Sequence, residues 1–171
     1  MSQLALKQDV EIKDISREPR VRSQKSPRVV THTIALIPPN YVHTLWDEVE
    51  SHLAPAVARS HGRWDMQSLY EAMRNMEQNL WVAFNNEDNV IEGVGTTEFV
   101  FYPKKKMLAM QYLGGINFNS WVWDMLERFN SWAKDNKCDG IEGTARHGFW
   151  KWLEQDGFIR SYTTYEKEVS R

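Results

Sequence analysis

Cysteine is almost missing from this chain of 171 residues, with Cys138 the single example. That excludes an internal disulfide and any zinc site built from several thiolates; it fits a reducing compartment and leaves core packing as the expected role of Cys138. Net charge is also small, 21 basic against 23 acidic side chains for a formal −2. The molecule as a whole therefore does not attract nucleic acid or anionic lipid, and any such role must be local. No apolar run approaches the roughly 20 residues that cross a bilayer, and no apolar signal segment opens the sequence, so an intracellular protein without a membrane span is expected. His32, His43, His52 and His61 lack metal-ligand spacing with one another or with Cys138, so no metal is expected. Repeats and low-complexity segments are absent too.

Apolar mass is what the chain does have. Hydrophobic residues make up 42% and tryptophans number eight, enough for one domain with a real core. Residues 1–28 stand apart, with no aromatic residue and, from position 17 onward, five basic side chains (Arg17, Arg20, Arg22, Lys25 and Arg28) against Glu18 alone. Such a stretch reads as a solvated flexible arm, or as one that orders on a protein partner or a nucleic acid backbone. The domain proper is expected over 29–171.

Within that domain, residues 29–37 are β-branched and apolar and read as a strand ended by Pro38-Pro39. Val42, Leu45, Trp46, Val49 and Leu53 then recur at helical spacing, and Pro55 is expected to open a further short helical piece. Asp65 is placed to cap the next helix, with Trp64 stapling onto Leu69 and with Met66, Leu69, Tyr70, Met73 and Met76 as its stripe. Residues 80–84, 90–102 and 107–113 form three strands joined by a polar turn and by the Pro103, Lys104–Lys106 tip, an antiparallel meander. A helix over 120–136 follows, with Val122, Leu126, Phe129 and Ala133 as its central stripe. A strand over 138–145, a short helix closed by Gly157-Phe158, and a last strand over 159–169 complete the order. The strand regained through a long helix makes a parallel crossover, so the fold class is α+β with a mixed sheet.

The stretch 107–129 is the centre of this plan. It can be core alone, or the floor of a cofactor site with a phosphate at the helix start after Gly114-Gly115. Asn117, Asn119 and Ser120 are good capping residues that compete for the same N–H groups, and Asp124 and Glu127 in the first two turns repel an anion. Trp123 and Trp152 fall at positions expected to be exposed, and with the arm they are candidate partner contacts.

The element order over 29–169, with the helix ending Leu153-Glu154-Gln155-Asp156-Gly157-Phe158, resembles the GNAT N-acetyltransferases. The tryptophan-rich Arg146-His147-Gly148-Phe149-Trp150 is similar to small GNAT-like proteins of tailed bacteriophages. The resemblance implies acetyl-CoA between splayed strands, with a loop of Gln111, Gly114, Gly115, Asn119 and Ser120 near its pyrophosphate. Gln111 and Gly114 match that family's loop pattern, whereas Ile116 stands where it has a small residue. Leu153 occupies the place of a tyrosine that protonates the departing thiolate, and leucine cannot transfer a proton. Glu98, Glu142 and His147 are candidate general bases, each with a plain reading as an outward strand or turn residue. The departures favour a non-catalytic GNAT-fold protein, without cofactor, assembling into a phage particle and located in the host cytoplasm or the virion. The alternatives are an acetyl-CoA-dependent N-acetyltransferase and, further off, a nucleic-acid-associated factor.

Overall fold

The structure, a computed structural model, describes residues 28–170, which divide into two units, 28–147 and 148–170. The first unit carries five strands in the order β1 (His32–Ile37), β2 (Asn79–Asn85), β3 (Ile91–Tyr102), β4 (Lys105–Gly115) and β5 (Gly140–Gly143). Neighbours from β1 to β4 are antiparallel, and β5 runs parallel to β4. Helices α1 (Val42–Val57) and α2 (Met66–Arg74) connect β1 to β2, and α3 (Phe118–Asp135) carries the chain from β4 to β5. The class is the expected one, α+β with an antiparallel meander and a helix-linked crossover.

Each face of the sheet is apolar because each is covered. Val42, Val49, Leu53, Val57, Leu69 and Met73 of α1 and α2 close over Leu80, Val82, Ile91 and Val94. On the opposite face α3 buries Trp121, Val122, Met125, Leu126, Phe129 and Ala133, and Trp81 meets Phe129 edge-on with ring centroids 5.4 Å apart. At roughly 1.5–3 kcal/mol for each large apolar side chain removed from water, these two layers carry the fold.

Local signals explain most boundaries. Asp65 caps α2 by accepting from the Ser68 N–H at 2.7 Å, and Trp64 and Met66 pack against the cluster that holds Leu69. Met76, expected on the α2 stripe, lies beyond the helix end and is exposed. Pro55 opens no new helix but lies inside α1, close enough to its C-terminus that the missing N–H costs one bond without stopping the chain.

The second unit holds α4 (Trp150–Leu153), whose turn closes at Gly157 (φ +90°) with the Phe158 N–H donating to the Leu153 carbonyl at 2.9 Å. Residues 158–170 form no helix or strand, and Ile159, Tyr162, Tyr165 and Val169 are exposed. The strand expected over 159–169 is thus not formed: alternation makes a strand only where a neighbour offers a ladder, and among the described residues none does.

Candidate functional site

The parallel pairing of β4 with β5 is short. Met107 to Met110 lie opposite Gly140 to Gly143, after which β4 continues to Gly115 with no partner on that side among the described residues. On its other edge β4 stays paired with β3 all the way to Gly93↔Gly115. The strand expected over 138–145 is therefore only four residues long, and its pairing with β4 ends at Met110. Gly114 and Gly115, expected as a break, are the last two residues of β4.

Both glycines answer to packing. A Cβ on Gly114 would stand 2.1 Å from the His52 carbonyl oxygen of α1, and one on Gly115 (φ +143°) would stand 2.1 Å from the Glu92 carbonyl oxygen. The turn that follows is gripped on two sides: the Ile116 N–H donates to the Glu92 carbonyl at 2.8 Å, and the Trp121 indole N–H donates to the Ile116 carbonyl at 2.8 Å. The Ile116 side chain itself is half in solvent, 54% exposed.

Self-capping of α3 does not occur as expected. Asn117 is the N-cap residue, in the left-handed region at φ 50° and ψ 38°, and makes no side-chain cap. Phe118 and Asn119 open the helix, and the Ser120 N–H donates to the Asn117 carbonyl at 2.8 Å. The first turn holds no acidic residue, and Asp124 in the second is paired with Arg28. An 18-residue helix whose N-cap residue supplies no cap suits an anion there, through its N–H groups and its dipole.

Beside this end of β4, on the sheet face under α1 and α2, sits a polar cluster. β3 and β4 shift register so that Thr96 pairs with Tyr112 and Thr97 with Met110, leaving Gln111 as the extra residue of a bulge. A bulge re-aims a side chain, and the Gln111 amide donates to Glu98. Gln78 donates to the other Glu98 oxygen at 3.1 Å, while its own Oε1 is buried without a hydrogen-bond partner. Tyr112 belongs to the same surroundings, its phenol pushed up by burial against the opposing influence of Ser60 and Arg63. Glu98, Ala109 and Glu142 are register neighbours across β3, β4 and β5, which puts the two carboxylate-bearing strands about 10 Å apart, two strand spacings. Glu142 accepts from the Tyr102 hydroxyl at 2.9 Å.

The structure thus brings together Glu98 and Gln111, and sets Glu142 one strand beyond. His147 lies apart from them, exposed at the start of a single 3-10 turn (His147–Phe149). Trp123 and Trp152, expected to be exposed, are half-buried, with Trp152 tilted against Phe149 at 5.8 Å and covered by the Lys151 ammonium. Arg17, Arg20, Arg22 and Lys25 lie outside the described residues, whereas Arg28 is held by Asp124 of α3. Burial raises the Cys138 thiol, which suits the packing role expected of it. Gln78 and Glu92 were not singled out from the sequence, and Asn117 only as a capping residue. Their only signal is a polar residue next to an apolar strand, which loops share.

No protein-family model matches the sequence, and no curated protein is similar to it. Solved structures do match its shape. A probable acetyltransferase superposes with a TM-score of 0.63 at 12% identity, covering 81% of this chain and 99% of its own. A predicted acetyltransferase from Clostridium acetobutylicum, solved with acetyl-CoA, gives 0.58 at 14% identity over 80% and 96%. A GNAT family acetyltransferase from Staphylococcus aureus gives 0.57 at 9% identity over 81% and 99%. At such identities the likeness establishes the fold, which is that of the GNAT acetyltransferases. Among the described residues no helix is long and apolar enough to cross a membrane.

Proposed function

We propose that this chain is an acetyl-CoA-dependent N-acetyltransferase with Glu98 as its general base. The observation that carries the reading is the parting of β4 from β5 after Met110, which leads directly to the helix start where Asn117 provides no cap. The open edge of β4 from Gln111 to Gly115 offers ladder groups to an amide-bearing chain, and the first turn of α3 offers N–H groups to a phosphate. Acetyl-CoA would supply an acyl thioester: attack by the deprotonated amine forms the amide C–N bond and breaks the C–S bond, and the thiolate leaves to take its proton from solvent, since Leu153 has none to give. The protein's part is to bind, orient and remove a proton. Glu98, fixed by the Gln78 and Gln111 amides, accepts the proton of an acceptor ammonium, and the unused Gln78 Oε1 takes a second N–H of the same group. Glu142 adds a second carboxylate on the same face for a cationic acceptor.

Titration of the purified chain with acetyl-CoA by calorimetry tests this: micromolar binding supports it, and neither heat nor a thermal shift at millimolar ligand removes it. Such a blank would favour a second reading, a non-catalytic GNAT-fold component of a phage particle, which rests on Leu153 in place of the tyrosine and on Ile116 in the loop. That reading places the contacts on residues 17–28, Trp123 and Trp152, with a protein as partner, and unchanged partner association after deletion of 1–28 would remove the arm from it.

A further inference from the structure

Glu98 stands between two amides. Asn79 pairs with Thr97, which sets Gln78, the residue before β2, alongside Glu98 on one side, and the bulge sets Gln111 on the other. Gln78 is 2% exposed and is held by its backbone, whose N–H donates to the Ala72 carbonyl of α2 at 3.2 Å. Charge fixes the orientation of its amide: Nε2 donates to Glu98 at 3.1 Å, and the reverse placement would set an oxygen against a carboxylate. Oε1 is therefore the atom left over, buried and without a partner on a side chain already bonded to Glu98. An oxygen left unpaired in this way costs about 1–3 kcal/mol. A ligand that brings N–H groups to Glu98 relieves it.

The same face carries a second carboxylate. Glu98, Ala109 and Glu142 form one row across β3, β4 and β5, so the side chain between the two glutamates in that row is only an alanine. Tyr102, four residues beyond Glu98 on β3, reaches across to Glu142 and donates to one of its oxygens at 2.9 Å, which orients that carboxylate. A carboxylate accepts several bonds, so one hydroxyl leaves Glu142 room for a cation. Two glutamates alone would be a solvated pair. The unpaired Gln78 oxygen enclosed beside one of them is the feature that calls for a donor.

We infer that the acceptor is a small aliphatic diamine: Glu98 and Gln78 take the reacting ammonium, and Glu142 takes the distal one. This rests on the acetyltransferase reading above and names the substrate class of that site. A primary ammonium carries three N–H groups, enough for Glu98 and for Gln78 Oε1, whereas an alcohol carries one donor and would turn lone pairs towards that oxygen. The row sets the length of the substrate. Strands two spacings apart hold their carboxylates about 10 Å from one another. Two ammoniums bonded on the facing sides then lie about 6–9 Å apart. An extended chain with bonds of about 1.5 Å advances about 1.25 Å per bond, so about four to six methylenes cover that distance. One end alone reacts: the new C–N bond replaces the C–S bond of the thioester, the ammonium proton passes to Glu98, and the distal nitrogen stays charged on Glu142.

Steady-state kinetics of the unaltered chain with acetyl-CoA tests this, using α,ω-diamines from two carbons to ten, each beside the n-alkylamine of the same length. At four to six methylenes the diamine is expected to exceed its monoamine in kcat/KM by about tenfold, the worth of one charge-assisted bond, chiefly through KM, with little difference at either end of the series. A ratio that stays flat along the series overturns the inference. Glu142→Gln is expected to bring the ratio at those lengths towards one, and an unchanged ratio overturns the distal site. Gln78→Met keeps the reach of the side chain and removes the oxygen. It is expected to lower kcat/KM about tenfold for monoamine and diamine alike, with their ratio kept, and an unmoved rate overturns the part given to Gln78. Monoamines acetylated with diamines no better would sink the diamine and leave the acetyltransferase reading standing. Absence of acetyl-CoA binding, or of acetylation of any amine, sinks both.

Discussion

The two halves of β4 live in different surroundings. From Met107 to Met110 the strand is paired on both edges, by β3 and by β5, with Leu108, Ala109 and Met110 buried. From Gln111 to Gly115 it keeps β3 but loses β5, and the candidate site collects there: a bulge at Gln111, a close approach to α1 at Gly114, a left-handed turn at Asn117. The first half builds the domain. The second leaves backbone groups unspent in the ladder, and those are the groups a ligand can use.

The sharpest way to break the comparison is to add the same methyl against each half. Gly114→Ala drives a Cβ into the His52 carbonyl of α1, which must move as backbone; a loss of about 3 kcal/mol or more, or failure to fold, is expected in urea unfolding. Gly140→Ala, on β5 opposite Met107 of the doubly paired half, meets only the flexible end of Met107, so its midpoint is expected to shift far less. Equal effects at the two sites would contradict the close approach of α1 to β4.

Next in size is chemistry. Glu98→Gln is expected to lower kcat/KM for an amine acceptor by about 10²–10⁴, the usual worth of a general base, while acetyl-CoA affinity stays within twofold or so. Glu142→Gln is expected to act mainly on acceptor KM, which steady-state kinetics separates from kcat.

A smaller effect is expected from pH. His32 first, and then Asn85, hold the Glu92 carboxyl below its ordinary range despite burial, with Asn117 adding to them. A carboxyl lowered in the native state contributes stability above its unfolded-state value and loses it as pH falls through the native one. Acidification from the ordinary glutamate range downward should therefore erode stability, and Glu92→Gln should flatten that acid limb in unfolding curves between about pH 5 and pH 3. An unchanged limb would show that the carboxylate is not ionised in this network. Smallest of all is Asp65→Ala, which removes the α2 cap and is expected to lower Tm slightly without touching acetyl-CoA affinity.

Much of the frame could be read from residue order. The stripe of α3, the Asp65 cap, the meander and the Gly157-Phe158 ending follow from local chemistry, because periodicity, capping and turn formation act over a few residues. Glu98 and Gln111 were visible as candidates. Their partnership was not, because it depends on a one-residue slip between β3 and β4. The same holds at the turn: Asn117 looks like a cap in sequence, and only the left-handed turn, gripped through the Ile116 N–H on the Glu92 carbonyl, leaves it without a cap bond.

The sequence by itself determined which segments are apolar on one side, where helices can begin and end, and that the sheet would be mixed. Tertiary structure alone decided the bulges at Glu92 and Gln111, the early departure of β5, the use of Gly114 and Gly115 for close packing, and the failure of 159–169 to become a strand. The physical reason is the same in each case. A strand's register and edges are properties of its neighbours, fixed by pairings between residues far apart in the chain, whereas the signals in a sequence are written by residues next to one another.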